Sequence, residues 1–195
     1  MISHIESNLK EARECLDRLI ENTETLERIA EAGKLIAETF EKGSRLYSCG
    51  NGGSMCDAMH LAEEFTGRFR KNRRALPALA IADGAHLSCT ANDFGYEHVF
   101  SRFIEGHGQN GDVLVCISTS GKSPNVLAAA KAARDKGLKV IGLTGKPESA
   151  LGALCDIDIC TPGGRFADRV QELHIKVIHI FMELVERALF QEKYD

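Results

Sequence analysis

The sequence predicts an α/β fold in which a mainly parallel sheet lies between two layers of helices. Three observations predict it. Short apolar runs alternate with longer segments whose apolar residues recur every three or four positions. From residue 45 onward the runs recur in a strand–loop–helix rhythm, the pattern of parallel β-α-β units with helices on both faces. The 195 residues, 44% hydrophobic, suffice for one α/β domain with a packed interior.

The elements follow in order. Ile5, Leu9, Leu16, Leu19 and Ile20 recur at helical spacing. A break at Glu21-Asn22-Thr23 offers caps, and Leu26, Ile29, Leu35, Ile36 and Phe40 resume the pattern until Glu41-Lys42-Gly43 ends it. Arg45 to Cys49 reads as a strand, Gly50-Asn51-Gly52-Gly53 as a loop, and Ser54 to about Arg68 as a helix. Ala78 to Ala82 and Asp112 to Ile117 read as further strands. A helix starts after Ser123 and ends at Lys136-Gly137. Lys139 to Leu143 is a fourth strand and Cys155 to Thr161 a short fifth. A helix from about Asp168 to Phe190 closes the chain. Its Ile175, Val177, Ile178, Ile180, Phe181, Met182, Leu184 and Val185 point in almost every direction, so it is predicted to be buried on all sides at the centre of an oligomer. No repeat or linker interrupts the chain, which reads as a single domain, 1–195. Residues 1–42 form its N-terminal helices, and 43–195 form the sandwich core and last helix.

Composition excludes several function classes. Charged residues make up 27% and the net charge is −4, which argues against a general nucleic-acid binder. No apolar run approaches the length of a membrane span. Met1 to Glu6 carries an early acid and no apolar signal core, which places the protein in the cytoplasm. Seven cysteines, with no C-x-x-C pair, exclude a zinc ribbon and a thioredoxin motif. They read as reduced, small buried hydrophobes.

Two loops carry the features of a phosphate site. Ser118-Thr119-Ser120-Gly121-Lys122-Ser123 lies between a strand and a helix, with Ser123 at the cap and Pro124 at the first helical position. The N–H groups and partial positive charge of a helix start, joined by four hydroxyls, can hold a phosphate without a metal. In parallel sheets ligands bind at the carboxyl ends of strands, where both this loop and residues 50–54 fall. The glycines of Gly50-Asn51-Gly52-Gly53 let the backbone approach a ligand, and Ser54 with Asp57 reads as a capping box. A P-loop is excluded because Cys116 holds its first glycine position, and a dinucleotide fingerprint because Met55 holds its last. No nucleotide cofactor is expected.

A second group carries acid–base or metal chemistry. His60 and Glu64 are four apart on one helix and share a face. Gln171 and His179 are eight apart on the last helix, about 80° around its axis, so both can face one site. His174 competes with His179 for that role, and Asp168-x-x-Gln171 also reads as a capping box. Two imidazoles, a carboxylate and an amide could hold a borderline divalent ion such as zinc.

Together these pieces resemble the phosphoheptose (sedoheptulose 7-phosphate) isomerase family, within the sugar isomerase (SIS) fold. The resemblance runs over nearly the whole chain. It is carried by Ser48 to Ser54, Asp57 to Arg68, Asn92-Asp93-Phe94-Gly95, Ser118 to Ser123 and Ala167 to His179. It implies a three-layer sandwich with a central five-stranded, flavodoxin-like sheet. It implies a homotetramer with sites at subunit interfaces, in agreement with the apolar last helix. It implies one zinc per subunit on His60, Glu64, Gln171 and His179. Substrate contacts are implied at Asn51, Gly52, Gly53, Glu64, Asn92, Asp93, Ser118, Thr119, Ser120, Ser123 and Gln171. The implied reaction converts sedoheptulose 7-phosphate to D-glycero-D-manno-heptose 7-phosphate, on the route to ADP-heptose and the lipopolysaccharide core. An enediol mechanism needs a base and an acid, and Glu64 and His179 suit these roles. The rival is a non-enzymatic SIS protein associating with the replication initiator; retention of all four acid–base residues favours the enzyme.

Overall fold

The computed structural model describes residues 1–194. Two helices open the chain, α1 (Ile2–Glu21) and α2 (Thr23–Glu41). Asn22 separates them, and its side-chain oxygen accepts from the Thr25 N–H at 3.0 Å, the cap that the sequence offers. Then follow β1 (Leu46–Gly50), α3 (Gly53–Thr66), β2 (Ala78–Ala80), α4 (Gly84–Phe94), α5 (Ser101–His107), β3 (Val113–Ser118), α6 (Pro124–Asp135), β4 (Lys139–Thr144), β5 (Ile157–Cys160) and α7 (Ala167–Leu189). The strands form one parallel sheet in the order β2-β1-β3-β4-β5. This is the flavodoxin-like order, whose direction of winding switches between β1 and β3. Gly50 pairs with Ile117 at the carboxyl ends of those two strands. Both hydroxyl- and glycine-rich loops therefore leave the sheet on either side of the switch point.

Alternation along the strands divides the core in two. Val113, Val115 and Ile117 of β3 join a cluster with α2, α3 and α7, while Leu114 and Cys116 join one with α5 and α6. Every β3 residue is buried, as a strand covered on both faces must be. The three-layer architecture is the expected one.

Three expectations need correction. The sequence reading has no element between Ala82 and Asp112, where the structure places α4, a 3-10 turn at Tyr96–His98, and α5. Neither predicted capping box forms. Gly52 occupies the N-cap of α3, leaving Ser54 and Asp57 inside the helix, and Phe166 occupies that of α7, leaving Asp168 and Gln171 inside. Ser123 does sit at the N-cap of α6, but its hydroxyl caps nothing. Within a single chain the last helix has one covered side and one open side. Val177, Ile178, Phe181, Met182 and Val185 fill the core, whereas His179 and Ile180 face outward.

Candidate active site

The first loop is shaped by Gly52, whose φ of 56° suits glycine and turns the chain from β1 into α3. Its neighbour Gly53 meets α7. A Cβ on Gly53 would lie 2.8 Å from Gln171 Nε2. The missing side chain thus admits the Gln171 carboxamide onto the loop backbone.

The second loop leaves β3 at buried Ser118 and reaches α6 at Ser123. Gly121, at φ +62°, donates its N–H to the Ser118 carbonyl at 3.0 Å, closing a turn. The Ser118 and Ser123 hydroxyls lie 3.1 Å apart across it. Ser120 Oγ accepts from the Lys122 N–H at 3.3 Å. Thr119 and Ser123 are half-buried and Ser120 is exposed. Hydroxyls line this turn above an uncapped helix start, where a dianion would meet donors and a favourable dipole.

The two loops are locked together by Asn125. Asn51 and buried Asn125 exchange side-chain hydrogen bonds of 2.9 and 2.8 Å, and Tyr96 donates its hydroxyl to Asn51 Oδ1 at 3.1 Å. Each amide keeps one further N–H. Asn125 follows Pro124 in an ordinary helical context, so its sequence gives no signal. Asn92 and Asp93 are exposed at the end of α4 and hydrogen-bond to each other at 2.8 Å. Their segment reaches the first loop through Tyr96.

The acid–base group assembles where α3 and α7 cross. His60 Nε2 lies 3.6 Å from Glu64 Oε1 and 3.2 Å from His179 Nε2, so His60 stands between an acid on its own helix and an imidazole on α7. Glu63, exposed, also approaches His60, at 3.8 Å. Donor atoms of His60, Glu63 and Glu64 all lie within 4.8 Å of one another; His179 meets this trio at His60. The Phe69 ring stacks on the His179 imidazole with centroids 5.7 Å apart. The rivalry with His174 is resolved. His174 is fully buried and its Nε2 donates to the Thr144 carbonyl at 3.0 Å, on the core side of α7.

Charge states follow from surroundings. Burial raises the Glu64 carboxyl above its ordinary value, aided by the Glu63 charge. Burial lowers His179, aided by His60, Lys176 and Arg70. Asp57, one turn before His60 on the same face, is raised to about 6 by burial, and its Oδ2 is enclosed without a partner. In the sequence Asp57 has the spacing of a capping residue, and nothing there signals this enclosure.

The donors of His60, Glu63 and Glu64, all within 4.8 Å of one another, lie close enough together for one cation. The gaps from His60 Nε2 to Glu64 and to His179 approach the donor–donor edge of a tetrahedral zinc site, about 3.3 Å, whereas Gln171 lies against Gly53 at the first loop. Two imidazoles and a carboxylate are suitable donors, and an enclosed, unpartnered Asp57 oxygen nearby is the kind of group that a bound cation would favour.

Known proteins share this architecture and sequence. The SIS domain family matches residues 9–145. The phosphoheptose isomerase of Histophilus somni is 54% identical over 185 residues, covering 95% of each chain. That of Haemophilus ducreyi is 55% identical over 185 residues, again 95% of each. The solved phosphoheptose isomerase of Neisseria gonorrhoeae superposes with a TM-score of 0.87 at 34% identity, over 94% of this chain and 97% of that one. That of Francisella tularensis gives 0.90 at 28% identity, over 95% and 98%. The SIS match stops before α7, but the full-length relatives extend it across the helix that carries Gln171 and His179. The chain belongs to the phosphoheptose isomerase family of SIS-domain proteins and is a sugar-phosphate isomerase.

Proposed function

We propose that the chain converts sedoheptulose 7-phosphate to D-glycero-D-manno-heptose 7-phosphate through an enediol, in the cytoplasm, supplying ADP-heptose for the lipopolysaccharide core. The observation that carries this reading is the meeting of His60, Glu64 and His179 at the crossing of α3 and α7. α3 is also the helix that begins in the glycine loop. The replication-initiator reading explains neither this group nor its perturbed charge states.

The phosphate would sit on Ser118, Thr119, Ser120 and Ser123 at the start of α6, with Gly52 and Gly53 giving backbone access. Asn51, Asn92, Asp93 and Gln171 would hold sugar hydroxyls. The Glu64 carboxylate takes a proton from C1, and that C–H electron pair forms the C1=C2 bond. The C2 carbonyl oxygen takes a proton from the His179 imidazolium, giving the enediol. In the second half the neutral imidazole removes the O1 proton, C1 becomes the aldehyde, and the Glu64 carboxyl returns its proton to C2. No net proton is consumed. Glu64 held above an ordinary carboxyl and His179 held below an ordinary imidazole bring base and acid toward each other in strength.

One zinc per subunit would be held by His60, Glu64, Gln171 and His179; with it bound, the ion, in place of the His179 imidazolium, would polarise the substrate carbonyl. The assembly would be a homotetramer with the sites at subunit interfaces and residues 1–42 among its contacts.

Glu64→Gln and His179→Ala are each expected to lower kcat at least about 100-fold while leaving the oligomer intact by light scattering. Both are expected to retain less zinc after purification without added metal. Turnover near wild type in either variant would sink the assignment of base and acid.

A further inference from the structure

The segment between α3 and β2, rich in arginine, crosses the face of α7 that carries His179. His179, Glu183 and Glu186 are spaced four and three apart, so they line one side of that helix. Each is met by one part of the segment. The Phe69 ring stacks on His179. Arg70 pairs with Glu183 at 2.7 Å. Glu186, fully buried, accepts the backbone N–H groups of Phe69 and Arg70 at 3.3 and 3.5 Å, the Arg73 Nε–H at 2.9 Å, and the Tyr194 hydroxyl.

Arg73 works in the other direction. Its side chain is 1% exposed, an unusual state for an arginine, and its remaining donors all go to backbone carbonyls. It bonds to Glu64 O at 2.7 Å, Phe65 O at 2.7 Å, Gly67 O at 2.8 Å and Arg74 O at 3.2 Å. The guanidinium thus joins the α3 turn carrying Glu64 to the α7 carboxylate two turns beyond His179. A lysine, with one point charge and no planar fork, could not bond all of these at once. Arg73 is not a solvated loop residue, although its neighbours in a basic run suggest one.

We infer that residues 67–74 form a strap, anchored on Glu186 through Arg73 and two backbone N–H groups, which positions His179 against the substrate through Phe69. Phe69, Arg73 and Glu186 are positioning residues. The inference rests on the reading that His179 and Glu64 carry the chemistry. The reason is geometric: His179 is exposed on its helix, and an imidazole free to turn about its side-chain bonds would spend little time aimed at one substrate oxygen. The phenyl face removes that freedom without adding a charge.

Full-length Phe69→Leu, Glu186→Gln and Tyr194→Phe test this beside wild type and His179→Ala. Steady-state turnover of sedoheptulose 7-phosphate gives kcat and KM. Proton NMR of the metal-free protein follows the His179 Cε1 proton, assigned by its loss in His179→Ala and shielded in wild type by the stacked ring. Phe69→Leu is expected to fold, to change KM less than about twofold and to lower kcat about tenfold. Its Cε1 proton should move downfield. Glu186→Gln, or Tyr194→Phe if the first does not fold, should move the same resonance in the same direction. A kcat for Phe69→Leu within roughly threefold of wild type, a change confined to KM, or a resonance that stays in place overturns the inference. Absence of turnover in wild type, or its survival in His179→Ala, instead overturns the proposed function, and the resonance still reports on the stack.

Discussion

Gln171 and Gly53 show how one side chain fixes another's place. Gln171 reaches the first loop only because Gly53 has no Cβ, which would fall 2.8 Å from the carboxamide nitrogen. The obstructed group is the tip of a flexible side chain, so Gly53→Ala should fold normally and shift stability by less than about 1 kcal/mol. It should displace Gln171 and lower kcat/KM about tenfold or more. Unchanged kcat/KM in a folded Gly53→Ala would show that Gln171 is not needed where it lies. Helical spacing places His60 and Glu64 on one face of α3, as the structure has them, but only the family resemblance joins His179 to them. Asp57 and Asn125 were not legible in the sequence. Asp57 sits where an S-x-x-D pattern signals a cap, but Gly52 takes the N-cap and leaves the carboxyl partly enclosed. Asn125 acquires its role from Asn51, 74 positions away.

Among the elements, α7 divides its two histidines between two environments. His179 looks outward to α3, and His174 looks inward to β4, where burial lowers it to about 4. A buried histidine of this kind is neutral in the folded state and charges on unfolding. Below pH 6.5, its ordinary value, the unfolded chain binds the extra proton, so this contribution to stability falls as pH drops toward about 4. The full loss is about 3 kcal/mol across that window. Asp57, raised, acts in the opposite sense, being less costly to bury once protonated. Comparing wild type with His174→Gln isolates the histidine. Their difference in unfolding free energy should narrow steadily from pH 7 to pH 4, and a difference independent of pH would refute the account. The strands and long helices were legible because their apolar periods are strong. α4 and α5 were not: α5 spans only seven residues, and α4 buries few of its side chains. The strap from Gly67 to Arg74 carries no local signal of its role, since its anchor, Glu186, lies 113 positions beyond Arg73.

At the scale of the whole molecule, the parallel sheet places both loops at its winding switch, and α3 carries the acid–base group away from one of them. Among the described residues no helix is long and apolar enough to cross a membrane. The N-terminal helix nevertheless exposes Ile2, Ile5, Leu9 and Ile20, each more than half accessible, and α7 exposes part of Ile180. Apolar surface of this extent along one helix is expected to be covered by further copies of the chain. Light scattering at micromolar concentration should give the mass of a tetramer, and a monomer would remove the interfacial site from the proposal. The central claim is narrower than assembly and is tested without any variant. NMR of the purified protein mixed with sedoheptulose 7-phosphate should show a growing anomeric resonance of D-glycero-D-manno-heptose 7-phosphate, together with exchange of one carbon-bound proton in deuterated water. A substrate spectrum that binding perturbs, but that yields no aldoheptose and no exchange, would contradict it.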